Sequence, residues 1–153
     1  MITIKDIMTS QVISIKPETT LVDLAKIITE HRFNGLPVTD ADGILVGIVT
    51  EYGLISNQSG IHLPTLQTVL ANLPVFSKDK SEFAEEVAAV TKLTAKDVMN
   101  ADPLTLPITA TYDEVVRTFQ DPHGVNPIPV IDSTRKLVGV VSRYDVLKPL
   151  TQK

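Results

Sequence analysis

The chain has 153 residues, 43% of them hydrophobic, which is enough for one compact domain with a real core. Its formal charge of −4 and pI near 5.3 argue against broad binding to nucleic acid or anionic lipid. The absence of cysteine excludes disulfides, thiolate catalysis and thiolate metal sites, and the lack of tryptophan removes the usual stacking platforms for single-stranded nucleic acid.

The elements follow in chain order. Thr3-x-x-Asp6 is a capping box that opens a short helical turn ending near Met8. Residues 11–15 are β-rich. Thr20-x-x-Asp23 caps a helix whose Leu21, Leu24, Ala25 and Ile28 fall on one face. The apolar run around Val38 reads as a buried strand, Asp42-Gly43 as a hairpin turn, and residues 44–49 as the returning strand. A short helix is expected after Thr50. In the connector, Leu66, Val69, Leu70 and Leu73, and then Phe83, Val87 and Val90, keep helical spacing. They predict two amphipathic helices joined at Pro74-Val75-Phe76-Ser77, either bridging the flanking halves or presenting a partner surface. The first series of elements then returns. Thr94-x-x-Asp97 is a capping box, residues 103–106 are β-rich, and Thr111-x-x-Glu114 caps a helix bearing Tyr112, Val115, Val116 and Phe119. A strand around Val130, a turn at Ser133-Thr134-Arg135, a strand over 136–141 and a short helix after Ser142 complete it.

The repetition is explicit in the residues. Lys5-Asp6-Ile7-Met8 returns as Lys96-Asp97-Val98-Met99 at an offset of 91. Leu36-Pro37-Val38-Thr39-Asp40 returns as Ile128-Pro129-Val130-Ile131-Asp132 at an offset of 92. Leu45-Val46-Gly47-Ile48-Val49-Thr50-Glu51-Tyr52 returns as Leu137-Val138-Gly139-Val140-Val141-Ser142-Arg143-Tyr144, also at 92. The extra residue falls near Asp121-Pro122-His123-Gly124. Three ordered blocks at one offset predict two copies of a strand-helix-strand-strand-helix unit. One copy is marginal alone, so the two are expected to pack as a pseudo-twofold pair. The expected organisation is repeat one at 1–56, a helical connector at 57–93 and repeat two at 94–153.

On these markers the chain resembles a tandem pair of cystathionine-β-synthase (CBS) domains, also called a Bateman module. The resemblance covers residues 2–56 and 93–150. It implies an α+β fold of two βαββα repeats, each a small sheet with helices packed on it. It also implies a regulatory module that binds an adenosine nucleotide (AMP, ADP or ATP, with other adenosine compounds open), needs no other cofactor, catalyses nothing and signals to a separate effector protein.

The candidate ligand motif is Gly139-Val140-Val141-Ser142-Arg143-Tyr144-Asp145. Ser142 sits where a strand gives way to a helix, whose free N–H groups favour phosphate. Asp145 can accept from both ribose hydroxyls, and Arg143 offers charge to the phosphates. Ser142-x-x-Asp145 is equally a capping box, and the two roles are compatible. The resemblance places Ser142, Arg143, Asp145 and Val140 opposite Val12, Ile13, Phe33, Asn34, Gly35 and Pro37. There Val12 and Ile13 would meet the adenine edge, with Phe33 and Pro37 walling the base. Phe33 also suits a core position. A second cleft would use Thr50, Leu104, Thr105, Val125, Asn126 and Pro127. It lacks the acidic residue, because Gly53 stands there, and Glu51 replaces Arg143, so it is expected to be weak or empty.

Other chemistries find little support. His31, His62 and His123 share no ligand spacing, so no metal site is expected, and His31 and His123 read as surface loop residues. No Gly-Lys-Ser/Thr loop or G-x-S-x-G turn occurs. Met8 and Met99 read as core or interface residues. With no secretory signal and no run of about 18 apolar residues, a cytoplasmic protein without a membrane span is expected. Exposed apolar helices such as 145–150 favour a homodimer. The competing expectation is a structural or interaction module whose clefts bind no nucleotide.

Overall fold

In this computed structural model, the structure describes residues 1–55, 92–121 and 126–151. The helices expected over 63–73 and 81–90 lie outside the described residues, as do His62, His123 and Val125. Repeat one contains α1 (Ile4–Ile7), α2 (Leu21–His31), β1 (Gly35–Thr39), β2 (Leu45–Thr50) and α3 (Glu51–Ile55). Repeat two contains α4 (Ala95–Val98), β3 (Leu106–Pro107), α5 (Tyr112–Gln120), β4 (Ile128–Ile131) and β5 (Leu137–Val141), then a 3-10 turn (Asp145–Leu147) and α6 (Lys148–Thr151). The architecture is α+β.

Local chemistry sets the helix starts. Asp6 accepts the Thr3 N–H at 2.7 Å, Asp97 the Thr94 N–H at 2.8 Å, and Glu114 the Thr111 N–H at 2.7 Å. Each carboxylate thus satisfies a backbone donor that the helix leaves free. At α2 the Thr20 hydroxyl accepts the Asp23 N–H at 3.2 Å. Both hairpins turn on an aspartate. Asp40 Oδ1 accepts the Asp42 and Ile44 N–H groups, and Asp132 Oδ1 accepts those of Thr134 and Lys136. Gly43 and Arg135 then share the left-handed conformation, at φ 81° and 65°.

Strand β1 pairs antiparallel with β2, and β4 with β5, each pair shifting register once. The first strand of each repeat is shorter than expected. Of residues 11–15 only Ile15 pairs, parallel to Val38, while Gln11, Ile13 and Ser14 are exposed. In repeat two the pairing falls on Leu106 and Pro107 against Val130 and Ile131, so that of 103–106 only Leu106 lies in the strand. β-propensity offered a run of candidates, and the ladder partner chose which of them paired. The last helix of repeat two also starts late, because Ser142 to Tyr144 turn before the 3-10 segment begins at Asp145.

The opening helices are exchanged. Ile4 and Ile7 of repeat one are buried with Val115, Ile128, Val130 and Val141 of repeat two. Ala95 and Val98 of repeat two are buried with Leu24, Leu36, Val38 and Val49 of repeat one. Backbone pairs fasten both crossings. Thr9 pairs with Val140 through N–H···O bonds of 2.8 and 2.9 Å, and Asn100 with Ile48 through bonds of 2.8 and 3.0 Å. Thr3 bridges Thr111, and Thr20 bridges Thr94. Ile44 pairs with Lys136, its own counterpart at the offset of 92, so this contact lies on the pseudo-twofold axis.

Met8 and Met99 sit at these crossings. A Cβ on Gly139 would lie 2.7 Å from Met8 Sδ, and one on Gly47 would lie 2.5 Å from Met99 Sδ and 2.9 Å from the Asn100 carbonyl. The two glycines are therefore required by close approach. Gly47→Ala and Gly139→Ala are each expected to lower stability by about 1–3 kcal/mol, with Gly47→Ala the worse because its Cβ would meet the methionine sulfur and a backbone carbonyl at 2.5 and 2.9 Å, against 2.7 and 3.0 Å for Met8 Sδ and the Thr9 carbonyl at Gly139. Urea denaturation of the two variants checks the order.

Hydrogen bonds from the capped residues hold Asp6 and Glu114 below their ordinary values of 3.8 and 4.5. Asp132 is held below 3.8, chiefly by the Thr134 hydroxyl. Because the folded state depresses these groups, their contribution is complete above the ordinary values and disappears as pH falls through the lowered ones. Glu114→Gln is expected to flatten the loss of stability below about pH 4.5, measured by denaturant melts across the acid limb.

Candidate functional site

A cleft of about 250 Å³ lies between the repeats. Its walls follow from the exchange just described. The Thr9–Val140 pairing brings the segment after α1 against β5, so that residues 9–13 face the turn after that strand. The opposite wall is the link from α2 to β1. There Arg32 ends the helix with φ 54° and ψ 42°, its N–H bonded to the Ile28 carbonyl.

Val12, Ile13, Phe33, Asn34, Gly35 and Pro37 line this cleft, facing Val140, Ser142 and Asp145. Phe33 also packs against the first core and stacks on His31, with ring centroids 5.1 Å apart and planes 10° from parallel. His31 is the last residue of α2 and not a loop residue; its ring bonds the Ile27 carbonyl at 3.1 Å. Arg143 is exposed and lies outside the lining. Sequence reasoning missed Thr9, Gln11 and Arg32, and gave no role to Tyr144 within the motif; all four join the lining. Thr9 directly follows the Lys-Asp-Ile-Met block and Arg32 directly precedes Phe33, so adjacency was the only signal they gave.

Asp145 is the cleft's carboxylate, and it is 6% exposed. Its Oδ2 accepts the Ser142 N–H at 2.7 Å and the Ser142 hydroxyl at 3.1 Å. Its Oδ1 meets Lys148 Nζ at 2.7 Å, and the same ammonium donates to the Ile7 carbonyl at 2.6 Å. The Arg143 N–H is also taken, by Asn126 Oδ1 at 3.1 Å. The Ser142 and Arg143 N–H groups, the first donors after β5, are thus already bonded, and the helical stretch there is a 3-10 turn followed by a four-residue helix. What the site offers a ligand is a buried carboxylate at the end of a largely apolar slot, with a hydroxyl, neutral amides and one guanidinium around it.

The CBS domain family model matches residues 4–60 and 95–151. The chain belongs to the CBS domain family. Among curated relatives, the uncharacterized protein MJ1426 of Methanocaldococcus jannaschii is 26% identical over 96% of this chain and 90% of its own length. The chloroplastic CBS domain-containing protein CBSX2 of Arabidopsis thaliana is 27% identical over 90% of this chain, which spans 58% of that relative. Among solved structures, CBSX2 in complex with AMP superposes with a TM-score of 0.72 at 23% identity, covering 99% of this chain and 98% of that one. The CBS domain pair of protein MJ0100, in complex with 5′-methylthioadenosine and S-adenosyl-L-methionine, gives 0.65 at 23% identity, covering 97% and 95%. The fold is that of a tandem CBS pair.

The two halves of this CBS pair differ where the ligand motif repeats. Asn126 and Pro127, expected in the second cleft, line the cleft that holds Asp145. Pro127 Cδ would stand 3.3 Å from a Cβ on Gly35, so the two pre-proline loops meet across the axis. Thr50 Oγ1 accepts the Gly53 N–H at 2.9 Å and would lie 3.0 Å from a Cβ at that position. Leu104 is 44% exposed and Thr105 half-buried. No carboxylate stands at Gly53 to match Asp145. Among the described residues no group of three or more His, Asp or Glu could hold a metal, and no helix is long and apolar enough to cross a membrane.

The buried Asp145 needs its ammonium partner. Lys148→Met is expected to cost about 1–3 kcal/mol, at the lower end because Lys148 keeps a third of its side chain in water. Adding Asp145→Asn should cost less than the sum of the two single changes. A double-mutant cycle by urea denaturation measures that coupling.

Proposed function

We propose that this CBS pair is a regulatory module, not an enzyme, that binds an adenosine nucleotide (AMP, ADP or ATP) in the cleft between its repeats. The observation that carries the reading is Asp145, a nearly buried carboxylate at the end of a slot walled by both repeats. A ribose offers two hydroxyl donors to such an acceptor, and a flat apolar base suits the wall made by Phe33 and Pro37. Two similar structures, one in complex with AMP and one with 5′-methylthioadenosine and S-adenosyl-L-methionine, support an adenosine ligand. Because residues from both repeats line the cleft, a ligand that prefers one arrangement of the repeats shifts the pair toward it. That shift is the signal, passed to a separate effector protein. The half at Gly53 is the weak or empty one.

The exposed side chains of Tyr52, Tyr144, Leu147 and Leu150 favour a homodimer of modules. The setting proposed is the cytoplasm.

A second reading has its own support. Ser142 N–H, Arg143 N–H and both Asp145 oxygens are already bonded within the chain, as in a scaffold whose clefts bind nothing. Thermal melts with AMP, ADP and ATP separate the two. Binding to the native state alone adds about 2.7 kcal/mol at 100-fold excess over Kd. The sensor reading expects a rise in Tm that Asp145→Asn abolishes; no rise with any adenosine compound favours the scaffold.

A further inference from the structure

The charges in the cleft are unevenly answered, and this bears on which adenosine compound fits; the step rests on the nucleotide reading above. Two charged side chains line the cleft among the described residues, Arg32 and Asp145. Asp145 has a counter-charge in place, Lys148 Nζ at 2.7 Å, and that ammonium is itself fixed by the Ile7 carbonyl at 2.6 Å. Arg32 has none: among the described residues its side chain makes no ion pair or hydrogen bond, and it is exposed. The other polar lining, Thr9, Gln11, Asn34, Asn126, Ser142 and Tyr144, is neutral. A chain of net charge −4 therefore keeps an uncompensated cation at its cleft.

The backbone reinforces the point. Arg32 occupies the left-handed cap of α2 at φ 54°, a position that glycine or asparagine takes at lower cost. An unpaired guanidinium held there recognises phosphate oxygens in a charge-assisted, two-pronged way. Arg143, outside the lining, does not have that placement.

We propose that Arg32 makes the cleft selective for a phosphate-bearing, anionic adenosine ligand and turns it against a cationic one such as the sulfonium S-adenosylmethionine. Neutralisation of Asp145 by Lys148 leaves the carboxylate able to accept from a ribose hydroxyl but removes its attraction for a cation. Discrimination then comes as much from the repelled ligand as from the favoured one.

Isothermal titration of the full chain with AMP, adenosine and S-adenosylmethionine tests this. AMP should bind about tenfold or more tightly than adenosine, and S-adenosylmethionine more weakly than adenosine. Raised salt should narrow the gap between AMP and adenosine. Arg32→Gln should bring AMP down to the affinity of adenosine while leaving adenosine itself unchanged, and Arg32→Lys should keep part of the difference. Equal affinity for AMP and adenosine in the parent chain, or a parallel loss of both in Arg32→Gln, would overturn the assignment of Arg32 with the nucleotide reading intact, and preference for S-adenosylmethionine would overturn both. Silence from all three ligands here, together with no response to ADP and ATP in the thermal melts, would remove that reading and this inference together.

Discussion

The exchange of opening helices is the constraint on which the rest of the molecule depends. Among the described residues each repeat has two longer strands and one amphipathic helix of its own, and its core is completed by the opening helix of the other repeat. Ile4 and Ile7 complete the core of repeat two, and Ala95 and Val98 that of repeat one. Neither repeat has a complete core until the other has donated its first turn. The backbone pairs Thr9–Val140 and Ile48–Asn100 then fix where each donated segment leaves the core. Glycine at 47 and 139 is what lets the crossing segments come so near.

The cleft is a consequence of that crossing. The chain leaving Thr9 runs past the end of β5, so residues of repeat one are delivered beside Ser142 and Asp145 of repeat two without any long loop reaching over. Lys148 adds a second tie. It holds the Asp145 carboxylate and the last carbonyl of α1 at once, joining the candidate ligand acceptor to the exchanged helix. An event at Asp145 is thus one side chain away from the contact that holds the repeats together. This gives the proposed sensor a physical route from cleft to interface.

The pseudo-twofold axis passes through the Ile44–Lys136 pairing, yet the two halves are not equivalent in chemistry. One half carries a serine and a buried aspartate; the other carries a threonine and a glycine whose N–H that threonine holds. The two frames repeat one backbone plan, and one of them carries the buried carboxylate that the other lacks. The two pre-proline loops meet at Gly35 and Pro127, so the loop of repeat two joins the lining of the cleft at Asp145.

The sequence alone determined the repeat, the α+β class, the helix starts and the unequal motifs, because each is written in local chemistry. A capping carboxylate three residues after a threonine, an apolar face at helical spacing, or a missing aspartate at 53 needs no partner to be recognised. Tertiary structure decided what depended on partners. The ladder chose Ile15 and Leu106–Pro107 out of longer β-rich runs. The exchange put Met8 and Met99 on glycines of the opposite repeat. Side-chain pairing gave Asp145 to Lys148, and the turn out of α2 brought Arg32, not Arg143, into the cleft. Spacing along a chain encodes what a residue can do within a turn or a helix. Which charges meet across about a hundred residues is settled only when the two cores close on each other's first helices.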